Sequence, residues 1–210
     1  GITDRELTAL TVGAQILGGL SSSRLDNTLV RDEQLAVSVS AGNYAWQRVG
    51  ILNVSATARP DVDEAEVERR LDELVAQFIA EGPTEDEVRR AATSTVAGTI
   101  RGLEQVGGFG GKAVTLASGE VLADDPSFYA RQFEILATLT PGEVQAAMQR
   151  WMTRPSFTLV LEPTDTVLFV LNSEHYALHA PTQNRIYQKL HVCQIRSHRQ
   201  DRKCHFLSFP

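Results

Sequence analysis

Residues 16–40 read ILGGLSSSRLDNTLVRDEQLAVSVS, and this stretch determines the expected path of the chain. An apolar helix runs into it, and Gly18 and Gly19 are expected to end that helix because glycine accepts the positive φ found just past a helix C-terminus. The hydroxyls of residues 21–23 can cap a second, short helix. From residue 35 to residue 40 larger apolar side chains alternate with small ones, which is the pattern of a half-buried strand.

The strands that follow are predicted from turn residues and residue type. Gly42 and Asn43 are expected to break the first strand, and residues 48–58 are expected to form a second strand because apolar and β-branched residues are frequent there. The two strands are predicted to pair antiparallel, with the longer second strand in a central position. Residues 157–161 are predicted to form the last strand of the body, which Pro163 ends.

Helix-start signals recur along the rest of the chain. A capping residue followed three positions later by Glu forms a capping box, and this spacing occurs at residues 3 and 6, 61 and 64, and 84 and 87. A capping residue followed by proline predicts two more starts, at Asp125 and Thr140. Helices are therefore expected over residues 3–17, 61–81 and 112–122, and from residues 84, 125 and 140 onward.

The order of these elements resembles the C-terminal domain of the pitrilysin/insulinase-type zinc peptidases. That order is a helix, a double glycine, a serine-rich turn, a short arginine-containing helix and a strand. Gly18 with Gly19, residues 22–25 and residues 35–39 carry this resemblance, and a looser similarity extends from about Asp4 to about Pro163. The resemblance implies an α+β fold in which an antiparallel sheet carries helices on one face. The family's domain usually opens with further strands that this chain lacks, so the domain is predicted to be partial and to need a partner or a larger parent protein at a sheet edge.

Composition limits the function classes. The 210 residues contain 42% hydrophobic and 22% charged residues, as in an ordinary globular domain, and no apolar run approaches the roughly 18 residues of a membrane span. No basic segment followed by an apolar stretch occurs, so no secretion signal is expected in this sequence, and Gly1 in place of a start methionine suggests a fragment or a processed piece. The bacterial periplasm and the cytoplasm are both compatible compartments.

Charge and residue type divide the chain near residue 163. Residues 1–163 hold 14 basic and 23 acidic residues, a net charge of −9, which argues against nucleic-acid binding. Residues 164–210 carry a net charge of +3 and all the His and Cys residues. We therefore expect a body of the family type over 1–163 and a basic tail over 164–210 that lies outside the resemblance, with residues beyond about 171 loosely packed or ordered by another chain.

The resemblance also implies where the chemistry lies. These peptidases hold zinc with an H-x-x-E-H helix in their catalytic domain, where the histidines bind the metal and the glutamate activates water. The nearest approach here is residues 171–175, LNSEH, which lacks the first histidine, and residues 1–163 contain no His or Cys. The body is therefore predicted to have no catalytic residues and no metal site of this type, and zinc is expected in a partner domain.

Two residues are candidates for substrate binding. In the family's C-terminal domain an arginine and a tyrosine contact the substrate backbone, and the resemblance assigns the arginine to Arg31, with a register difference of about one residue. Val37 stands where the tyrosine is expected, so Tyr44 at the strand end is the remaining tyrosine candidate. The simpler alternatives are that Arg31 is an exposed charge paired with Asp32 or Glu33 and that Tyr44 is a packed strand-end aromatic.

Two weaker motifs have simple structural explanations. Residues 21–23 offer serine hydroxyls, but the body has no histidine to activate a nucleophile, so helix capping is favoured. Residues 107–112 resemble a phosphate loop, but Val106 and Ala113 occupy the positions of its first glycine and its hydroxyl. A helix interruption is favoured there, with a mobile loop near bound substrate as an intermediate possibility.

The tail contains a metal-prone set of side chains without a known spacing. His175 and His179 would lie one turn apart on a helix, and a structural zinc site or an unpaired exposed cluster could form. A disulfide between two of the tail residues, 193 and 204, is allowed only in an oxidising compartment. The set beyond residue 190 is His191, Cys193, His198, Cys204 and His205.

Two functions remain. The first is the non-catalytic half of a zinc-dependent peptidase, which encloses and binds a peptide substrate opposite a zinc-bearing domain of the same parent protein or of a heterodimer. The second is a non-enzymatic interaction or assembly subunit built on the same domain. The expected partner is the zinc-bearing domain or, in a homo-oligomer, further copies of this chain. Loss of the family's tyrosine at Val37 favours the second, whereas a neighbouring reading frame with H-x-x-E-H would favour the first.

Overall fold

The computed structural model describes residues 5–45, 49–161 and 186–194. Six α-helices, two π-helical segments and four strands lie within them. The α-helices are α1 Arg5–Ala14, α2 Glu64–Glu81, α3 Glu85–Glu104, α4 Lys112–Ala123, α5 Phe128–Thr138 and α6 Pro141–Met152. The π-helical segments are Gln15–Gly19, which continues α1, and Asp26–Asp32. The strands are β1 Ala36–Ala45, β2 Val49–Ala58, β3 Phe157–Leu161 and β4 Ile186–Gln194.

The four strands form one antiparallel sheet in the order β1-β2-β4-β3. β2 is central and pairs with β1 as the sequence predicts, with Ser40 opposite Ser55 and Tyr44 opposite Ile51. The helices pack on one face, so the α+β prediction is confirmed.

The prediction that Gly42 and Asn43 break the first strand is wrong, because β1 continues through them to Ala45. Asn43 pairs with Leu52 across the sheet. Its side-chain NH₂ donates to Oγ1 of Thr11 on α1 at 3.2 Å, a contact between β1 and the helix that covers it. Long-range pairing therefore overrides the local turn tendency of these two residues.

A β-bulge near the start of β1 changes which side chains face inward. The register shifts between Ala36 and Ser38, so Val37 and Ser38 both point to the open face. Val37 is consequently 48% exposed, whereas Ala36 and Val39 contact the core. The simple alternation predicted over residues 35–40 thus fails at Val37.

The segment Ile186–Gln194 also differs from expectation. It was predicted to lie in a loosely packed tail, yet its main chain forms β4, which pairs antiparallel with β2 on one side and with β3 on the other. The prediction that residues beyond about 171 are loosely packed or ordered only by another chain is therefore wrong for this segment. The expected boundary at residue 163 remains a prediction, and the possible strand over residues 167–171 lies outside the described residues.

Helix starts follow the local signals in most places. Thr84 with Glu87 and Thr140 with Glu143 form complete capping boxes. For α2 the capping residue is Asp63, whose carboxylate accepts from the Ala65 backbone N–H at 3.1 Å, and not Asp61 as predicted.

The start of α5 also lies later than predicted. α5 begins at Phe128, three residues after Asp125, whose carboxylate accepts from the backbone N–H and the hydroxyl of Ser127 at the preceding turn.

The helices form two layers. α1, α2 and α6 pack on the sheet, and α3 and α5 pack mainly on the other side of α1, with α4 beside them. The core lies between the sheet and the first layer and includes Leu17, Leu52, Phe78, Val144 and Met148. One face of the sheet is thereby covered by helices, whereas the opposite, open face carries none of the described helices. None of the described helices is long and apolar enough to span a membrane.

Candidate functional site

The candidate site lies where the double glycine meets the sheet. A Cβ atom placed on Gly18 would lie 2.9 Å from the backbone nitrogen of Ala41, so only glycine permits this contact between the end of α1 and β1. The next turn closes with a 2.9 Å hydrogen bond from the Ser23 N–H to the Leu20 carbonyl. The serine-rich turn is therefore held at a fixed place beside β1.

The three serines of this turn have different roles. Ser23 is 1% exposed, and its hydroxyl accepts from the Asp26 N–H at 3.4 Å. This bond is a weak cap of the π-helical segment Asp26–Asp32. Ser21 and Ser22 are exposed and contribute backbone carbonyls to their neighbours. The favoured capping interpretation therefore holds for Ser23.

Arg24 attaches the π-helical segment Asp26–Asp32, which begins two residues later, to the corner between α2 and α3. Its guanidinium donates to both carboxylate oxygens of Glu87, at 2.8 and 2.9 Å, and to the Gly82 carbonyl at 2.9 Å. It also lies 5.0 Å above the ring of Phe78, which is a cation–π distance. The hydrogen bonds from Arg24 lower the pKa of Glu87 to about 2. Leu25 on the same helix is fully buried, so this helix has a fixed orientation.

Arg31 is exposed but held in place. Its Nε donates to Asp26 at 2.9 Å and its Nη2 donates to the Ser21 carbonyl at 2.7 Å, while the side chain remains 58% exposed. Asp26 lies five residues earlier, a spacing that faces the same way on a π-helix but not on an α-helix. The predicted partners Asp32 and Glu33 are therefore wrong.

Glu33 instead pairs with Arg70 of α2. The pairing lowers the pKa of Glu33, chiefly through the hydrogen bond from Arg70.

Tyr44 projects from the open face of the sheet near the end of β1. It is 58% exposed, and its ring lies against Gly42, where a Cβ would be 3.3 Å from the ring. The alternative of a packed strand-end aromatic is therefore not what the structure shows. Val37 lies seven residues earlier on the same strand, roughly 23 Å away at the usual rise per residue.

Arg31 and Tyr44 are not joined directly. No hydrogen bond or ring contact links them among the residues that the structure describes. Tyr44 is also displaced along β1 from Val37, where the resemblance places the tyrosine. The two candidates therefore do not form one cluster.

The open face of β1 and β2 is lined by small polar side chains that sequence reasoning did not single out. The hydroxyls of Ser40 and Ser55 are 2.7 Å apart across β1 and β2, and Ser38 lies next to Thr57 in the register. The sequence signal for this polar face was the alternation of Ser and Thr with buried residues along β1 and β2. The face can offer hydroxyl donors and acceptors to a bound chain.

Neither the phosphate-loop motif nor a metal cluster is supported. The backbone N–H groups that would cradle a phosphate donate instead to carbonyls of the same loop, Lys112 to Gln105 at 2.7 Å and Ala113 to Val106 at 3.1 Å. Within the described ranges, no group of three or more His, Cys, Asp or Glu side chains could hold a metal ion. The tail cysteines and histidines fall outside those ranges or on β4.

Comparison with known proteins shows similarity to peptidase M16 proteins. Residues 1–95 match the family model of the peptidase M16 inactive domain. An uncharacterized zinc protease of Streptomyces coelicolor is 31% identical over 163 residues, which cover 75% of this chain and 34% of that protein. The chain thus spans about a third of the length of this curated relative.

Solved structures show the same fold. A protease from Helicobacter pylori has a TM-score of 0.62 at 17% identity, with 71% of this chain and 35% of that chain covered. A peptidase M16 inactive domain from Pseudomonas fluorescens has a TM-score of 0.53 at 19% identity, with 71% and 35% covered.

Proposed function

Because this chain belongs to the peptidase M16 family as an inactive domain, in agreement with its resemblance to the pitrilysin/insulinase-type peptidases, we propose that it is the substrate-binding, non-catalytic half of a zinc-dependent peptidase. In this proposal it encloses a peptide opposite a zinc-bearing domain, which belongs to the same parent protein or to a heterodimer partner. The zinc and the water-activating glutamate are supplied by that domain.

The arrangement of Arg31 is the observation that carries this proposal. Its two hydrogen bonds, to Asp26 and to the Ser21 carbonyl, fix the guanidinium plane in advance. Among the described residues no acceptor bonds its Nη1, so donors remain for a peptide carbonyl. A preoriented arginine loses less side-chain entropy when it binds than a freely rotating one.

The open face of the sheet supports the same role. It lies on the side that the helices leave uncovered, and its hydroxyl-lined strands run from the bulge at Val37 to Tyr44. In this proposal an extended peptide lying there contacts the Tyr44 hydroxyl at the strand end and reaches Arg31 on the Asp26–Asp32 segment, which packs beside β1. Both residues are therefore proposed as substrate-binding residues.

One observation favours the alternative of a non-enzymatic assembly subunit. Val37 is exposed at the position where the family's tyrosine is expected, and its side chain has no hydrogen-bond donor. A chain that no longer works with a zinc-bearing domain would tolerate valine in place of the tyrosine. The two functions differ in what Arg31 should do.

The test is turnover by the reconstituted enzyme. The chain is combined with the H-x-x-E-H-containing polypeptide of its parent protein or of the adjacent reading frame, and cleavage of a fluorogenic peptide is followed. Arg31→Ala should lower kcat/KM roughly ten- to a hundredfold, since a charged hydrogen bond contributes about 1.5–3 kcal/mol. Arg31→Lys should recover only part of the loss because lysine cannot donate in a fork.

A matched control is Arg69→Ala. Arg69 is equally exposed, at 56%, and lies on α2 in a pair with Glu73. Its removal should leave turnover unchanged. Equal rates for the Arg31→Ala and Arg69→Ala enzymes would exclude Arg31 from substrate binding, and a zinc-bearing partner that gains no activity from this chain would favour the assembly function.

A further inference from the structure

The π-helical segment Asp26–Asp32 is joined to α2 on both sides. Before the segment, Arg24 donates to the carbonyl of Gly82, the residue that follows α2, at 2.9 Å. After the segment, Glu33 accepts two hydrogen bonds from Arg70 of α2, one from Nε at 3.0 Å and one from Nη2. Two arginines therefore connect the segment to a single helix.

The Arg70 side of this attachment has the geometry of a strong ion pair. The guanidinium reaches both carboxylate oxygens of Glu33, and the two side chains are only 23% and 30% exposed. Its Nη1 donates to Glu73 at 2.7 Å, which restricts rotation of the guanidinium. Val67 and Leu71 bury α2 against the core on either side of Arg70. Arg70 is therefore a fixed point to which Glu33 is tied.

The segment needs such a support because its hydrogen-bond pattern is uncommon. Its last backbone bond runs from the Glu33 N–H to the Thr28 carbonyl at 2.8 Å, the five-residue step of a π-helix. π-helical turns are rare, and many of those that persist lie at functional sites. The residue whose N–H closes this turn is also the residue whose carboxylate Arg70 binds. The ion pair thus holds the end of the π-helical turn from outside.

The π-helical register determines the direction of Arg31. Arg31 and Asp26 are five residues apart, and on an α-helix their side chains would point about 140° apart around the axis. On the π-helical segment they face the same way, and Nε of Arg31 donates to Asp26 at 2.9 Å. Relaxation of the segment to an α-helical register would break this bond and turn Arg31 away from Asp26.

The residue after Glu33 adds to the need for support. Gln34 has φ of +55°, a left-handed conformation that is uncommon outside glycine. Its side-chain carbonyl accepts from Arg59 of the chain beyond β2 at 3.3 Å, and the Leu35 carbonyl accepts from the Arg59 N–H at 3.0 Å. A strained turn of this kind persists only where its surroundings hold it. The Glu33–Arg70 pair lies at the start of this turn, where the π-helical segment ends.

We propose that Arg70 is a positioning residue for substrate binding. Through Glu33 it holds the segment Asp26–Asp32 in its π-helical register and so directs Arg31 toward the peptide. Arg70 itself does not touch the peptide. The contact between Arg31 and the peptide rests on the proposed function, whereas the effect of Arg70 on the Arg31–Asp26 bond does not.

The first experiment follows the arginine Nε–H groups of the whole chain by nitrogen–proton correlation NMR. The Arg31 signal, identified by its absence in Arg31→Lys, reports the bond to Asp26. In Arg70→Gln and in Glu33→Gln this signal should shift toward the position of unbonded arginines, and its proton should exchange faster with water. The Arg24 signal should stay in place, because its Nε is bonded elsewhere, and it shows that each variant is folded.

Glu73→Gln is the matched control. Glu73 is the other partner of Arg70, and its replacement leaves the bonds between Arg70 and Glu33 in place, so the Arg31 signal should not move. An Arg31 signal that is unchanged in either Arg70→Gln or Glu33→Gln would overturn the proposal. Simultaneous loss of the Arg24 signal would also overturn it, because the pair would then support the whole fold and not the register of one segment.

The second experiment uses the reconstituted peptidase. Arg70→Gln should lower kcat/KM about two- to tenfold, the rate equivalent of ordering one flexible side chain anew on binding. In the Arg31→Ala background the same substitution should lower kcat/KM no further, because the residue through which Arg70 acts is gone. A further loss of equal size in that background would assign Arg70 a merely structural role.

The two proposals give different results when they fail. If Arg31→Ala leaves turnover unchanged, the proposed function fails, and the NMR signal of Arg31 still decides whether Arg70 positions this side chain. If Arg31→Ala lowers turnover but the Arg31 signal stays in place in Arg70→Gln, the positioning role alone fails.

Discussion

The Arg24–Glu87 pair should be the most sensitive ionic contact among those described. Glu87→Gln keeps the size of the side chain but removes the charge that the guanidinium binds at two oxygens. It also weakens the cap of α3, because Glu87 accepts from the Thr84 N–H at 2.8 Å. The π-helical segment Asp26–Asp32, which carries Arg31, would then lose its attachment to the α2–α3 corner.

The magnitude follows from the carboxylate's pKa. The pKa of Glu87 falls from 4.5 to about 2, chiefly through the hydrogen bonds from Arg24. At 1.36 kcal/mol per unit, this corresponds to about 3 kcal/mol of stabilisation at neutral pH. The side chains of Arg24 and Glu87 are only 25% and 15% exposed, so solvent screening removes little of it. We expect Glu87→Gln to lower the free energy of unfolding by about 2–3 kcal/mol.

The dependence on pH has a definite sign. A carboxylate with a lowered folded-state pKa stabilises the fold above its unfolded pKa, and this contribution is lost as the pH falls through the folded value. The stability difference between wild type and Glu87→Gln should therefore be constant above pH 4.5 and shrink toward pH 2. Glu143, whose pKa is also about 2, is present in both proteins and cancels in the difference.

Urea unfolding followed by circular dichroism between pH 3 and pH 7 measures this difference. The control is Glu81→Gln, since Glu81 also contacts Arg24, at 3.4 Å, but is 55% exposed. It should cost less than about 0.5 kcal/mol. A cost below that level for Glu87→Gln at pH 7, or a difference that stays constant down to pH 3, would refute the reasoning.

Two further predictions concern activity and packing. The isolated chain should hydrolyse no peptide with or without added zinc, measured with a fluorogenic peptide library, and zinc-dependent cleavage that survives mutation of all five tail histidines would contradict this. Gly18→Ala should destabilise the fold by about 1–3 kcal/mol in urea unfolding because its Cβ would press on Ala41. Gly98→Ala on α3 is the control, because a Cβ there would meet no atom within 4 Å, and it should stabilise the fold by about 0.5–1 kcal/mol. If Gly18→Ala and Gly98→Ala changed the free energy of unfolding equally, the close contact at Gly18 would be unimportant.

Features with local causes could be predicted from the sequence. The capping boxes at Thr84 and Thr140 need residues only three positions apart, and both form as expected. The double glycine and serine-rich turn likewise carried enough local information to indicate the family. A local competition explains the error at α2, because Asp61 and Asp63 are both able to cap and the geometry of the preceding turn selects Asp63.

Features that depend on distant contacts could not be predicted. β1 passes through Gly42 because β2 pairs along its whole length, and β4 is ordered by partners more than twenty residues away in sequence. The two bonds that orient Arg31 depend on a π-helical turn, which has no period visible in the sequence. The candidate residues were therefore identifiable, but their partners and relative positions were not.

The small side chains of the open sheet face have a consequence for selectivity. Ser38, Ser40, Gly42, Ser55 and Thr57 form a floor of small side chains on β1 and β2. A peptide lying on such a floor is recognised by its backbone, which every sequence shares. In the proposed peptidase this half would accept many sequences, and discrimination between cleavage sites would come from the zinc-bearing domain and from the length of chain that fits between the two halves.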